Sequence, residues 1–294
     1  MATSAQVILG IDAAWTPDNP SGLALVGRRE GRCEVLCVAR SYTEFADLAR
    51  AGSASPAEWL APAANRPCSI PELLDAAKAT SGREVGVVSL DIPLAPLTIK
   101  GRRCSDNKVS SEYGSRGAST HSPTACRPGQ FAAELFSELR RAGFRWVGAA
   151  NTPPEPGDPC FIETYPHPAI IELLGLSYRL PYKVGRHNRY WREESPETSW
   201  GNLARSLDDL RCGIARVLDG AAYLIPSASD IMHSGNCKSR TATLKGIEDV
   251  LDAAVCAWVG CEYLAGRAIP YGDETSAIWL PTPRSPSGSN RAQR

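Results

Sequence analysis

The pattern of apolar and polar positions predicts strands near the start of the chain, followed by alternating strands and helices. β-Branched and apolar runs at residues 7–12, 22–26 and 33–39 are separated by short turn-rich segments, which is typical of a three-stranded meander. Residues 84–94 have the near-continuous hydrophobicity of a strand covered on both faces, and residues 161–166 predict a further core strand with an acid in its middle. We therefore expect an α/β fold with a mixed sheet flanked by helices.

Helical periodicity follows the meander and ends in one long element. In residues 241–265, Leu244, Leu251 and Trp258 recur at helical spacing and define a buried face. The first helix is expected to be capped by Thr43. The shorter elements predicted in the same way are helices at 43–51, 69–80, 130–142, 168–174 and 200–218, and a closing strand at 277–280.

One domain is expected to span residues 5–282. Within it, the polar residues 98–128 lack periodicity and predict a long inserted loop, and residues 178–240 predict a basic and helical extension. Residues 283–294 are rich in Pro, Ser and Arg and predict a disordered tail. A chain of 294 residues with 43% hydrophobic residues is long enough for one large core.

Composition narrows the class of protein. Lys and Arg together number 32, as do Asp and Glu, so bulk positive charge cannot drive binding to nucleic acid. No apolar run reaches the length of a membrane helix and no secretory leader is evident, so we expect a soluble, cytoplasmic protein without a membrane partner. Ten cysteines without a C-x-x-C pair are expected to be reduced thiols, and the spacing of Cys104, His121 and Cys126 matches no zinc template.

Acidic residues occur where apolar elements should bury them. Asp12 and Asp91 end apolar strands, Glu163 lies inside one, and Asp252, with Asp249 one turn earlier, lies on the long helix. Unpaired buried carboxylates are unfavourable, so such residues are commonly matched by a cation. Converging carboxylates without an obligatory histidine favour a hard divalent cation, and Mg²⁺ or Mn²⁺ is therefore the expected cofactor. A turn or salt bridge would explain any one of these acids alone.

Successive short motifs support the same assignment. They are Gly10-Ile11-Asp12, Leu90-Asp91-Ile92-Pro93, Arg103-Cys104-Ser105-Asp106, Glu163-Thr164-Tyr165-Pro166, Pro181-Tyr182-Lys183 and Asp249-Val250-Leu251-Asp252. In this order, over residues 7–282, they resemble the domain-of-unknown-function family 429 (DUF429). The resemblance implies an RNase H-like nuclease fold, distantly related to Holliday-junction resolvases. It also implies that Asp12, Asp91, Glu163 and Asp252 bind metal and carry catalysis, with Asp249 as an alternative helix ligand.

Basic residues near these motifs are candidates for phosphate binding. Arg102 and Arg103 follow Asp91 in the predicted loop, and Lys183 lies in one of the quoted motifs. Arg186 extends the basic window 178–192, in which aromatic residues are interleaved as in single-strand binding surfaces. A solvated loop would equally explain the arginines that follow Asp91. His167 is expected to be a packing residue, because a metal-activated water needs no separate base.

Three functions compete on this evidence. The first is a metal-dependent nuclease or phosphodiesterase acting on DNA or RNA. The second is a catalytically inactive RNase H-like module that binds a nucleotide, nucleic acid or protein partner, which the neutral overall charge favours. The third, phosphoryl transfer by an actin-like or sugar-kinase relative, ranks last because the chain lacks a recognisable phosphate loop.

Overall fold

One mixed sheet organises the residues that the structure describes. The structure is a computed structural model, and it describes residues 6–15, 19–51, 58–60, 63, 68–149, 157–233 and 237–283. Eight strands in these ranges lie in the order β3–β2–β1–β4–β6–β8–β7, with β5 also paired to β6. They are β1 (Gln6–Asp12), β2 (Gly22–Arg29), β3 (Arg32–Ala39), β4 (Val87–Leu90), β5 (Arg145–Trp146), β6 (Cys160–Thr164), β7 (Ala268–Gly272) and β8 (Ala277–Pro281).

Strand direction divides the sheet into an antiparallel half and a parallel half. β1, β2 and β3 form the predicted antiparallel meander. β4 pairs in parallel with β1, β6 pairs in parallel with β4, and β8 pairs in parallel with β6. The predicted mixed α/β sheet is confirmed, and the carboxyl ends of β1, β4 and β6 lie along one edge of it.

Helices cover both faces of the sheet. The described helices are α1 (Tyr42–Ala51), α2 (Ile70–Ser81), α3 (Cys104–Tyr113), α4 (Gln130–Arg141), α5 (Pro166–Leu174), α6 (His187–Tyr190), α7 (Pro196–Ala215), α8 (Ala221–Leu224), α9 (Ala228–His233) and α10 (Cys237–Leu264). Side chains alternate between two cores. Ile8 and Val87 pack with α5, α7 and α10, whereas Leu9 and Val88 pack with α1, α2 and α4. Both faces of β1 and β4 are therefore buried.

Glycines allow α10 to lie directly on the meander. A Cβ at Gly10 would lie 2.2 Å from the carbonyl oxygen of Ala253, and a Cβ at Gly22 would lie 2.1 Å from that of Asp249. No real side chain fits at such distances, so the backbone of α10 approaches β1 and β2 more closely than any other residue type would permit. This approach brings the acids of α10 to the end of β1.

The polar segment 98–128 differs from the expected loop, because it contains α3. The Asp106 carboxylate accepts hydrogen bonds from the backbone and guanidinium of Arg103 at the start of this helix, at 2.8–3.0 Å. Ion pairing stabilises the helix start, and the apolar periodicity of α3 is weak because only Val109 and Tyr113 among its large apolar residues are buried. A search for hydrophobic spacing therefore misses it.

Other elements deviate in smaller ways. The α1 helix begins before Thr43, and the Ser41 hydroxyl, rather than that of Thr43, accepts the backbone N–H of Glu44 at 3.1 Å. The short elements β5, β7, α8 and α9 carry too few residues for a periodic signal. The predicted tail lies outside the described residues except for Pro283. No helix in the described ranges has the length and apolarity needed to cross a membrane.

The close packing of α10 on β1 generates a stability prediction. Replacing Gly10 by Ala should force α10 away from the sheet and lower the free energy of unfolding by about 1–3 kcal/mol, as overpacking does in other cores. The control is Gly201→Ala on α7, where nothing lies within 4 Å of the added Cβ. That change should be neutral or stabilising by about 0.5–1 kcal/mol. Equal unfolding midpoints in urea for Gly10→Ala and the wild type would contradict the packing.

Candidate functional site

Backbone pairing brings Asp12 and Asp91 side by side. Ile11 pairs with Leu90 in the parallel ladder, and the Asp91 N–H donates to the carbonyl of Ile11 at 2.9 Å. The two aspartates follow at the same level, and strand alternation directs them to the face that carries α10. Both side chains are half-buried, so solvent reaches them. They form the acid pair of the site.

The acids of α10 approach this pair from above the sheet. Burial raises the pKa of Asp12 well above its usual value; the charges of Asp252, Asp249 and Asp91 raise it further, and Lys183 opposes them. Burial also raises the pKa of Asp91 to about 8, again with a contribution from Asp252. Four carboxyl groups therefore lie close enough to disfavour one another's ionisation.

Asp252 is fixed by two partners from one segment. The Tyr182 hydroxyl donates to its Oδ1 at 2.6 Å, and the Lys183 ammonium donates to its Oδ2. Lys183 also forms an ion pair with Glu248 at 3.3 Å. Asp252 is fully buried, so these contacts supply the compensation that a buried carboxylate needs. Lys183, predicted to contact substrate phosphate, thus neutralises the acid cluster from within the chain.

Asp249 is paired with a lysine, whereas His167 packs against two aromatic rings. The Lys245 ammonium donates to Asp249, and burial raises the pKa of this carboxyl to about 6 against that attraction. The buried ring of His167 lies edge-on to the rings of Tyr165 and Tyr182, with centroids 5.6 and 5.5 Å apart, and burial lowers its pKa. A neutral, packed imidazole is the arrangement expected for His167.

Glu163 projects from the opposite face of the sheet. It pairs in register with Leu90, one residue before Asp91, so alternation directs it away from the acid pair. The Arg103 guanidinium donates to both of its carboxylate oxygens at 2.7 Å, and the Leu94 N–H donates to one of them at 2.7 Å. The charge of Glu163 still raises the pKa of Asp91. Glu163 and Arg103 therefore support the segment after β4 rather than meet the other acids directly.

The remaining predicted phosphate contacts are also placed. Arg102 donates to Asn107, to the carbonyl oxygens of Asp106 and Thr120, and to the hydroxyls of Ser110 and Ser122, which ties α3 to the segment after it. Arg186 lies 3.3 Å from His121, between their terminal nitrogens. The hydrogen bonds of Arg102 thus indicate a structural role. Arg186, in contrast, lies among other positively charged side chains.

The donor set fits one divalent cation better than two. No group of three or more His, Cys, Asp or Glu side chains in the described part of the chain has the arrangement of a metal centre. Asp12 and Asp91 nevertheless present adjacent, solvent-reachable carboxylates that accept no hydrogen bond from another described residue. One or two carboxylates with several waters is an ordinary ligand set for Mg²⁺. The predicted four-acid set would require Asp252 and Glu163 to leave their present partners.

Comparison with known proteins gives one match. The profile of the family described as "Protein of unknown function (DUF429)" matches residues 10–276. The chain belongs to this family. No curated protein and no solved structure matches it. The DUF429 match begins just before Asp12 and runs past α10, so every acid of the site lies within it.

The partners of the DUF429 acids were only partly visible in the sequence. The motif Pro181-Tyr182-Lys183 drew attention to Lys183, but the bond from Tyr182 to Asp252 spans 70 residues and leaves no local signal. Arg103 was found through its motif, yet its pairing with Glu163 requires the fold. The contact of His121 with Arg186 depends on the packing of two polar segments and leaves no local signal in the sequence.

The pKa of Asp91 leads to a prediction on pH and stability. The folded chain retains a proton up to about pH 8, whereas the unfolded chain loses it near the ordinary value of 3.8. The folded state therefore binds more protons between these values, and its stability falls as pH rises through this window. Asp91→Asn should remove this contribution. In chelator, the free energy of unfolding of Asp91→Asn relative to that of the wild type should therefore increase from about pH 5 to pH 8. Urea unfolding at each pH measures this difference between Asp91→Asn and the wild type. A difference that does not change with pH would contradict the assignment.

The Arg103–Glu163 pair gives a second prediction for this site. Arg103→Met should lower the free energy of unfolding by about 3–5 kcal/mol, because it leaves Glu163 buried without its guanidinium. The double variant Arg103→Met/Glu163→Gln should recover the part of that loss that comes from Glu163, whereas Asp106, the other carboxylate on Arg103, still lacks the guanidinium. Chemical denaturation measures both. A double variant less stable than Arg103→Met would show that the pair is not the source of the effect.

Proposed function

We propose that this DUF429 protein is a metal-dependent nuclease or phosphodiesterase that hydrolyses phosphodiester bonds of DNA or RNA. The adjacency of Asp12 and Asp91, both solvent-reachable and neither hydrogen-bonded within the described chain, carries the proposal. Two such carboxylates repel each other, and a divalent cation relieves that repulsion. When bound, Mg²⁺ or Mn²⁺ supplies Lewis-acid activation of water and neutralises charge on the phosphate.

The topology supports an RNase H-like assignment within the mixed α/β class. A meander whose first strand ends in an acid, a parallel neighbour that also ends in an acid, and a late helix that brings a third acid is the arrangement of RNase H-like nucleases. β1, β4 and α10 supply Asp12, Asp91 and Asp252 in that order. The order β3–β2–β1–β4 places the two strand acids on neighbouring strands.

Different residues take different parts in the proposed reaction. Asp12 and Asp91 hold the cation, and Asp252 adds negative charge that its bonds to Tyr182 and Lys183 keep in place. Lys183 limits the repulsion among the acids through its ion pairs with Asp252 and Glu248. Glu163, which accepts the Leu94 N–H and pairs with Arg103, positions the segment that follows Asp91. Substrate phosphate is contacted by basic side chains, and Arg186 is the predicted contact whose side chain bonds neither an acid nor a backbone carbonyl among the described residues.

A catalytically inactive RNase H-like module that binds a nucleotide, nucleic acid or protein partner is the second candidate. One observation favours it: Lys183 and Arg103 already neutralise Asp252 and Glu163. A chain that has replaced catalytic cations by its own ammonium and guanidinium groups would keep the fold without turnover. The two candidates differ in whether cleavage depends on the acid pair.

A cleavage assay on single-stranded and structured DNA and RNA with Mn²⁺ separates the candidates. Asp12→Asn and Asp91→Asn should each lower the cleavage rate by about 100-fold or more, the size of effect of losing a preorganised electrostatic contact. Asp75→Asn, which changes an exposed acid on α2, should retain wild-type rates. Cleavage that persists in Asp12→Asn or in chelator would refute the nuclease proposal. Tight binding without any cleavage would select the inactive module.

A further inference from the structure

The Arg186 guanidinium contacts His121, and the charges of Arg127 and Arg179 act on the same imidazole. The Nη2 atom of Arg186 is 3.3 Å from the Nε2 atom of His121. The Arg127 guanidinium lies over the ring of Trp15, and that of Arg179 lies over the ring of Tyr190, each 5.7 Å from the ring centre. We call His121, Arg127, Arg179 and Arg186 the basic cluster.

The charges of the basic cluster act on one another. Burial lowers the pKa of His121, and Arg186, Arg127, Arg179 and Lys183 lower it further, so the imidazole stays neutral among cations. In the described chain, none of the three arginines of the cluster forms an ion pair with an acid. Some arginines elsewhere are paired with acids, as Arg40 is with Glu44 and Arg116 with Glu172. The three arginines of the basic cluster have no acidic partner among the described residues and are therefore open to an anion from outside the chain.

Tyr165 connects the basic cluster to the acid pair. Its hydroxyl donates to the carbonyl oxygen of Ser119 at 3.0 Å, two residues before His121. Burial raises the pKa of Tyr165, the charge of Asp91 raises it further, and Lys183, Arg179 and Arg186 oppose the rise. This phenol thus has Asp91 among its neighbours together with two arginines of the cluster. An anion held there would lie beside the proposed cation site.

The composition of the cluster favours an unpaired strand over a duplex. Guanidinium planes and the rings of Trp15 and Tyr190 offer flat surfaces on which exposed bases stack. A duplex binder commonly presents an extended basic stripe, whereas this chain has no net charge and the cluster has only three arginines. Glu248 is an acid whose charge raises the pKa of Tyr190. This carboxylate is already bonded to Lys183, Lys245 and the Val184 N–H.

Building on the nuclease function proposed above, we propose that the basic cluster binds phosphate groups of single-stranded nucleic acid beside Asp12 and Asp91. Arg179 and Arg186 contact backbone phosphates, His121 donates or accepts one hydrogen bond at the same place, and Arg127 with Trp15 borders the path of the strand. The bound strand then extends from the cluster across Tyr165 toward the acid pair. This assigns the substrate class that the acid pair alone leaves open.

The test measures binding without turnover. Fluorescence anisotropy with labelled single-stranded DNA and RNA of the same sequence, in EDTA, gives the slope of log K against log salt concentration. Each phosphate contact on a single strand contributes about 0.7 to that slope. Arg179→Gln and Arg186→Gln should therefore each lower its magnitude by about 0.7, and the double variant by about 1.4. Arg141→Gln, an exposed residue at the end of α4, makes the same charge change away from the cluster and should leave the slope unchanged.

The outcomes are separable from those of the cleavage assay. Circular dichroism verifies the fold of each variant, and Arg186→Gln alone decides the test if Arg179→Gln unfolds. Reduced slopes in the cluster variants with an unchanged Arg141→Gln support the site even where the wild type cleaves nothing. Unchanged slopes in folded cluster variants overturn it. Equal or tighter binding of a duplex of the same sequence overturns the assignment to single strands.

Discussion

Electrostatic repulsion between carboxylates at the ends of two neighbouring parallel strands is the constraint on which the site depends. Hydrogen bonding in the ladder fixes the distance between Asp12 and Asp91, because the Asp91 N–H is bonded to Ile11 and neither backbone can withdraw. The approach of α10, made possible by Gly10 and Gly22, adds the charge of Asp252 above them. A folded chain that accumulates negative charge in a half-buried place requires cations, protons or both.

Lysine and arginine side chains of the protein pair with some of these acids and, within the described ranges, leave others without a cationic partner. Lys183 lies against Asp252 and Glu248, and Lys245 against Asp249, so the acids of α10 are compensated. On the other face, Arg103 donates to both carboxylate oxygens of Glu163, while burial raises the pKa of this carboxyl to about 7. In the part of the chain that the structure describes, the strand acids are left without a cationic partner of their own, and burial together with the neighbouring acids raises the pKa of both. The arginines of the basic cluster have no acidic partner among the described residues, and the charges of Asp91, Arg179 and Arg186 all act on the pKa of Tyr165.

The sequence predicted the parts of this arrangement that local patterns encode. Apolar strands that end in Asp12 and Asp91, and a long helix with a periodic buried face that includes Leu251, follow from hydrophobicity alone. The face of the sheet on which Glu163 lies depends on its register with Leu90, which sequence spacing does not reveal. The helix α3 was missed because a buried ion pair, Arg103 with Asp106, supports its start where apolar spacing is weak. The partners of Asp252 come from 69 and 70 residues away and can be identified only in the folded chain.

Direct titration of the metal-free protein with Mn²⁺ tests the central claim, that Asp12 and Asp91 share a single cation. Calorimetry, with electron paramagnetic resonance to count the free ion, measures both stoichiometry and affinity. We predict one Mn²⁺ per chain, lost in Asp12→Asn and in Asp91→Asn but kept in Glu163→Gln, whose carboxylate lies on the other face of the sheet. Undiminished binding in a folded Asp12→Asn protein, or loss of binding in a folded Glu163→Gln protein, would contradict the account.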